Sequence, residues 1–125
     1  MEKIGAYLIS VEPGLVEIGL SFREDLTQQN GYLHAGIVTT IVDSACGFAA
    51  YSLMPAGSAV LTVEYKVNLM SPARGDKFIA TGRVIKPGRT LTVCAGDVVA
   101  IVGEERRQVA MMQATMIRIA ESAER

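Results

Sequence analysis

The chain contains no tryptophan, a single histidine and only two cysteines among its 125 residues. Cys46 and Cys94 are too few for a disulfide framework and neither stands in a C-x-x-C spacing. With one histidine they make a poor zinc set, so no metal site is expected; their apolar surroundings read as core positions. An excess of either charge is missing too: 12 basic against 13 acidic residues leave a formal net charge of −1. That balance lacks the electrostatic footprint of a nucleic-acid binder, although basic residues in the second half suit a small anionic ligand. The opening residues, MEKIGAYLISVEPG, have no basic region followed by an apolar run and a small-residue cleavage site, so no signal peptide is expected.

Charge is scarcest in one stretch. Between Asp25 and Glu64 the only residue with a formal charge at neutral pH is Asp43. It sits in the middle of the apolar run Ala35–Met54, which is long enough to consider as a membrane span. A carboxylate at the centre of a span costs about 2.5–3.5 kcal/mol on insertion scales, and threonine, serine and glycine dilute the remainder. A buried helix in a cytoplasmic protein is the better reading, with no membrane partner. An isolated ionisable group on such an element is costly to bury, so it has a partner or a task.

Half the residues are hydrophobic, and the length fits one domain, 1–125, near the size where oligomerisation often helps. Ile4–Val11 and Leu15–Phe22 read as two strands of a hairpin turned at Pro13-Gly14, with Val16, Ile18, Leu20 and Phe22 on the apolar face. Arg23–Gly31 is a polar loop. From His34 the spacing becomes helical: Ile37, Ile41, Ala45 and Phe48 form one stripe, and Val38, Val42, Ala49 and Leu53 a second. Two adjoining stripes predict a helix buried over most of its circumference, stopped by Pro55-Ala-Gly57. Four strands follow: Ala59–Met70, Lys77–Lys86, Thr90–Val102 and Gln108–Ile119. In the first, Leu61, Val63, Tyr65, Val67 and Leu69 are expected on one face, with Thr62, Glu64, Lys66 and Asn68 on the other. Runs of strands without βα alternation predict an antiparallel sheet in an α+β fold. A single curved sheet would cover the helix if a second subunit extended it.

This order of elements, with the text it carries, resembles the hotdog-fold acyl-CoA thioesterases of the phenylacetate-degradation type, within the 4-hydroxybenzoyl-CoA thioesterase superfamily. The resemblance covers Leu15 to Ile119. It rests on G-x-x-H-x-G followed by an acidic residue (Gly31, His34, Gly36, Asp43), on VEYKVNLMSPARGD, and on KPGRT. It implies a long central helix wrapped by a curved antiparallel sheet, a dimer with a continuous sheet or a dimer-of-dimers tetramer, and active sites at the dimer interface. It also implies an acyl-CoA substrate and no cofactor.

Carried onto this sequence, the resemblance makes Asp43 the catalytic carboxylate, nucleophile on the thioester or general base for water. Backbone N–H groups at a helix start lack intrahelical partners and can donate to an oxyanion. The resemblance gives that role to Ala35, in HAG where many relatives have HGG, beside Gly36. His34 would order the loop, and Gln28 or Asn30 would supply an amide near the thioester. Thr62 would orient the water or the carboxylate, and Arg74, Lys86 and Arg89 would approach the nucleotide end of coenzyme A. Phe48, Tyr51 and Tyr32 would lie near the acyl site. The substrate expected is a small or aromatic acyl-CoA. Two other readings share the fold. A hydroxyacyl-thioester dehydratase would pair histidine with an aromatic residue and proline, whereas His34 is followed by Ala35-Gly36. A non-catalytic acyl-CoA binder is compatible with the fold alone.

Overall fold

The computed structural model describes residues 2–28 and 31–120. The first strand, β1 (Tyr7–Glu12), pairs antiparallel with β2 (Leu15–Ser21) across the Pro13-Gly14 turn. The expected start at Ile4 is instead a short 3-10 turn, Glu2–Ile4. Val16, Ile18 and Leu20 are fully buried, as their alternation requires, while Phe22 falls beyond the strand and is exposed.

A single helix, α1 (Ala35–Tyr51), precedes β3 (Ser58–Leu69), β4 (Lys77–Lys86), β5 (Leu91–Val102) and β6 (Glu105–Ala120). All six strands form one antiparallel sheet in the order β1-β2-β4-β5-β6-β3. Helix α1 lies across its inner face. The approach is so close at β4 that a side chain on Gly82 would collide with the backbone of Ala45 and Cys46. On β5, a Cβ at Gly96 would stand 2.7 Å from Val42 Cγ2. Two glycines on adjacent, directly paired positions therefore seat the helix in the sheet.

Val38, Ile41, Val42, Ala45, Cys46, Ala49 and Ala50 form the buried face of α1, against Phe78, Val98, Met112 and Met116. Burial is less complete than the two stripes predict. Gly36, Thr40, Phe48 and Tyr51 are exposed, and Asp43, Ser44 and Gly47 are half-buried along the same side. The helix ends at Tyr51, two residues before Leu53, which is also exposed. One flank of the helix is thus uncovered by its own sheet, and Asp43 lies on it.

The expected faces of β3 also need correction. The pairing with β6 shifts register between Thr62 and Glu64, a β-bulge that inserts Val63. Thr62 opposes buried Met116 and so points toward the helix, as do Tyr65, Val67 and Leu69 opposite Ala114, Met112 and Ala110. Leu61 opposes Ile117 and points away. The bulge moves a hydroxyl to the inner face where simple alternation puts it outside. β3 is also an edge strand, and Leu61, Val63, Tyr65 and Leu69 on it are each more than half exposed.

Candidate active site

Asp43 lies in a hollow of about 190 Å³ bordered by Ser44, Gly47, Phe48, Val60, Thr62 and Met116. The hydroxyl of Thr62 donates to Asp43 Oδ1 at 2.8 Å, and Met116 Sδ lies 3.2 Å from the same hydroxyl. No donor among the described residues reaches Oδ2. No buried side-chain oxygen among them is left without a partner, so Oδ2 reaches the open side of the hollow. One carboxylate oxygen is held and the other is presented.

The helix start is built separately. His34 is the N-cap of α1, with extended backbone (φ −60°, ψ 137°), and its Nδ1 accepts from the Gly36 N–H at 3.0 Å. This assigns the ring proton to Nε2. A Cβ on Gly36 would stand 3.2 Å from that Nδ1, so the glycine makes room for the cap. The loop before it is tied by His34 N–H to Leu26 O, Leu33 N–H to Ala73 O and Gln28 N–H to Tyr32 O, each 2.9 Å. With Gly36 N–H occupied by His34, Ala35 N–H is the amide at the helix start with no acceptor among the described residues. Ala35 is in helical conformation, where an L side chain carries no strain. Ala35, Gln28 and Tyr32 border a cleft of about 360 Å³ with Leu69, Met70 and Pro72.

Asp43 and Ala35 are eight residues apart on one helix, roughly 12 Å at 1.5 Å per residue. Their clefts share no bordering residue. A single protomer therefore brings Asp43 to Thr62, and Gln28 to Ala35, but leaves the two pairs apart.

The three expected cations do not converge either. Arg74 borders an opening with Phe22, Asp76, Glu105 and Arg107, just before β4. Lys86 ends that strand and Arg89 follows it, roughly 30 Å away at about 3.4 Å per residue. Asn30 lies outside the described residues. Tyr51 is exposed on the uncovered flank of the helix. Ser44, Gly47, Val60 and Met116, which shape the hollow of Asp43, are residues that the sequence reading did not single out. They are small or apolar; Ser44 and Gly47 neighbour Asp43 on the helix itself, while the β3–β6 register brings Val60 and Met116 to the carboxylate.

Cys46 and Cys94 are free and fully buried, with Cys94 Sγ directed at Cys46 O at 3.6 Å. Burial pushes the thiols up to about 12 and about 11, respectively. Neither borders the hollow of Asp43. Among the described residues no helix is long and apolar enough to cross a membrane, and no cluster of three metal-ligating side chains is found.

A six-stranded antiparallel sheet packed on one long helix defines a hotdog domain. Comparison with known proteins gives the family. The chain belongs to the thioesterase superfamily, whose model matches residues 30–106. A crystal structure of a thioesterase family protein from Silicibacter pomeroyi is 48% identical, with a TM-score of 0.95 over 96% of this chain and 88% of that one. The PaaI protein of the E. coli phenylacetic acid degradation operon shares the fold at 20% identity, with a TM-score of 0.86 over 97% of this chain and 84% of that one. Human acyl-coenzyme A thioesterase 13 is 32% identical over 91 residues, 72% of this chain. The chain spans 64% of the length of that relative, and 61% and 59% of two from Saccharolobus solfataricus.

Proposed function

We propose that the protein hydrolyses an acyl-CoA thioester with a small or aromatic acyl group, releasing the free acid and coenzyme A. The observation that carries this reading is the pairing of Thr62 with Asp43, which holds Oδ1 and leaves Oδ2 open to the hollow. A thioester carbonyl is activated and its thiolate leaves readily, so a carboxylate suffices. Oδ2 either attacks the carbonyl carbon, giving an acyl-enzyme anhydride that water then cleaves, or takes a proton from the water that attacks. In both routes the carbonyl oxygen becomes an oxyanion and needs a donor. Water adds across the C–S bond, and the products are a carboxylic acid and a thiol. Acyl-CoA hydrolysis is also the activity that the human relative's name gives to that protein.

The donor is the Ala35 N–H of a second copy. Since Ala35 and Asp43 of one protomer are too far apart, a neighbour related by antiparallel pairing along β3 completes the site. This would extend the sheet, cover the apolar edge at Leu61, Val63, Tyr65 and Leu69, and enclose the uncovered flank of α1. Gln28 of that neighbour would supply an amide beside Ala35. His34 acts by capping the helix and presenting this amide, with no role in proton transfer.

The test is a thiol-release assay over aryl, short, medium and long acyl-CoAs, run beside Asp43→Asn. The variant should fold and assemble normally and hydrolyse none of them. Wild-type rates in the variant would remove Asp43 from the mechanism, and binding without turnover by the native protein would favour an acyl-CoA binder.

A further inference from the structure

The inner face of the sheet carries a second recess, mostly apolar with a polar corner, that the proposed hydrolysis leaves without a role. It lies where the end of α1 meets the β4–β5 turn, encloses about 290 Å³ and is bordered by Met54, Pro87, Arg89, Thr92 and Arg118, among others. No aspartate or glutamate borders it. Ser58, only 2% exposed, accepts from Arg118 Nε at 2.8 Å, which fixes the plane of the guanidinium. Among the described residues neither terminal nitrogen of Arg118 has an acceptor, and no carboxylate pairs with it. A guanidinium held in this way is a preorganised fork for two oxygens of one anion. Thr92 adds a hydroxyl. It is 3% exposed and has no partner among the described residues, where no side-chain oxygen is both sealed from solvent and unpartnered, so its oxygen meets the recess.

Strand register ties this recess to the hollow of Asp43. Thr62, Met116 and Thr92 lie opposite one another across β3, β6 and β5. In the next row, Arg118 opposes Val60, which itself borders the hollow of Asp43. Arg118 is two residues beyond Met116, about 7 Å along the strand. The pantetheine arm that separates a CoA thioester from its phosphates is much longer than this. An anion on the acyl side of the thioester fits the spacing.

We propose that Arg118, with Arg89 and Thr92, forms a receptor for an anionic terminus, a carboxylate above all, on the acyl group whose thioester lies at Asp43. This rests on the reading of Asp43 as the thioester site. The recess selects the acyl group, and the hollow performs the hydrolysis.

The experiment compares kcat/KM for an ω-carboxyacyl-CoA and the neutral acyl-CoA of equal chain length, each with and without the 3′-phosphate. Native protein should favour the ω-carboxy substrate at least tenfold. Arg118→Gln should abolish that preference and leave the neutral substrate within threefold. Arg89→Gln, on an exposed turn where folding is not at stake, should reduce the preference in part. Equal loss on both acyl groups, or no preference in the native protein, would overturn the proposal. A tenfold effect of Arg118→Gln that follows the 3′-phosphate would overturn the acyl assignment and give the fork to coenzyme A. If no thioester is hydrolysed, the proposed function fails by itself. Calorimetric titration with free glutarate then decides the recess, since binding by native protein and none by Arg118→Gln supports it, and equal behaviour of the two overturns it.

Discussion

Thr62 holds Asp43: its hydroxyl donates to Oδ1 at 2.8 Å from a strand whose bulge turns that residue inward. A hydrogen bond to a charged group contributes about 1.5–3 kcal/mol. If its role is to aim Oδ2, Thr62→Val should lower kcat roughly ten- to a hundredfold, at 1.36 kcal/mol per decade, and Thr62→Ser should restore most of it. Steady-state kinetics of the two variants checks this, with KM expected to change less than kcat.

Ala35 allows an unusually clean deletion of one backbone donor. Proline is well tolerated at the first helical position, where its missing N–H has no intrahelical partner. His34 already has the extended backbone that a following proline requires. Ala35→Pro should therefore keep its circular dichroism and melting temperature. Loss of an oxyanion donor should cost kcat about 10²–10³-fold.

The cap at His34 is separable from proton transfer. His34→Ala removes the acceptor for Gly36 N–H and should cost about 0.5–2 kcal/mol, seen as a lower melting temperature. His34→Asn supplies another good N-cap and should recover both stability and most of the activity. An asparagine variant that is stable but inactive would return the histidine to a chemical role.

The secondary structure was legible in the residues because local rules decided it. Pro13-Gly14 made the hairpin, alternation buried Val16, Ile18 and Leu20, and β4 runs over the same Lys77–Lys86 that its pattern predicts. The bulge at Val63 was not legible, since a register shift depends on the partner strand rather than on the strand itself. Phe48 and Leu53 fit a helical stripe, yet they remain 41% and 44% exposed in the protomer. At the site, Asp43 stood out as a lone charge, whereas Val60, Gly47 and Met116 have ordinary chemistry and acquire a role only through packing.

The buried thiols set the alkaline limit of stability. Burial pushes Cys46 and Cys94 up to about 12 and about 11 in the fold, from an ordinary thiol value of 9.0. Below pH 9 both states hold the protons and stability is unaffected. Between pH 9 and 12 the unfolded chain loses protons that the folded one retains, so stability falls as pH rises. Denaturant midpoints at pH 8 and 10 should show the decline, and Cys46→Ala, Cys94→Ala should flatten it. Native protein should also resist thiol reagents at pH 8, and both thiols should react after unfolding.

The division of the site between two copies is tested most directly by mixing two defective chains. Asp43→Asn and Ala35→Pro, carrying different tags, are coexpressed, and assemblies holding both are isolated through both tags. If each site joins Asp43 of one subunit to Ala35 of another, the mixed dimer has one doubly defective site and one intact site. Thiol release should then return, although Asp43→Asn alone has none and Ala35→Pro alone is lowered about 10²–10³-fold. A mixed assembly no more active than its parents would contradict the shared site and place both groups in the same protomer.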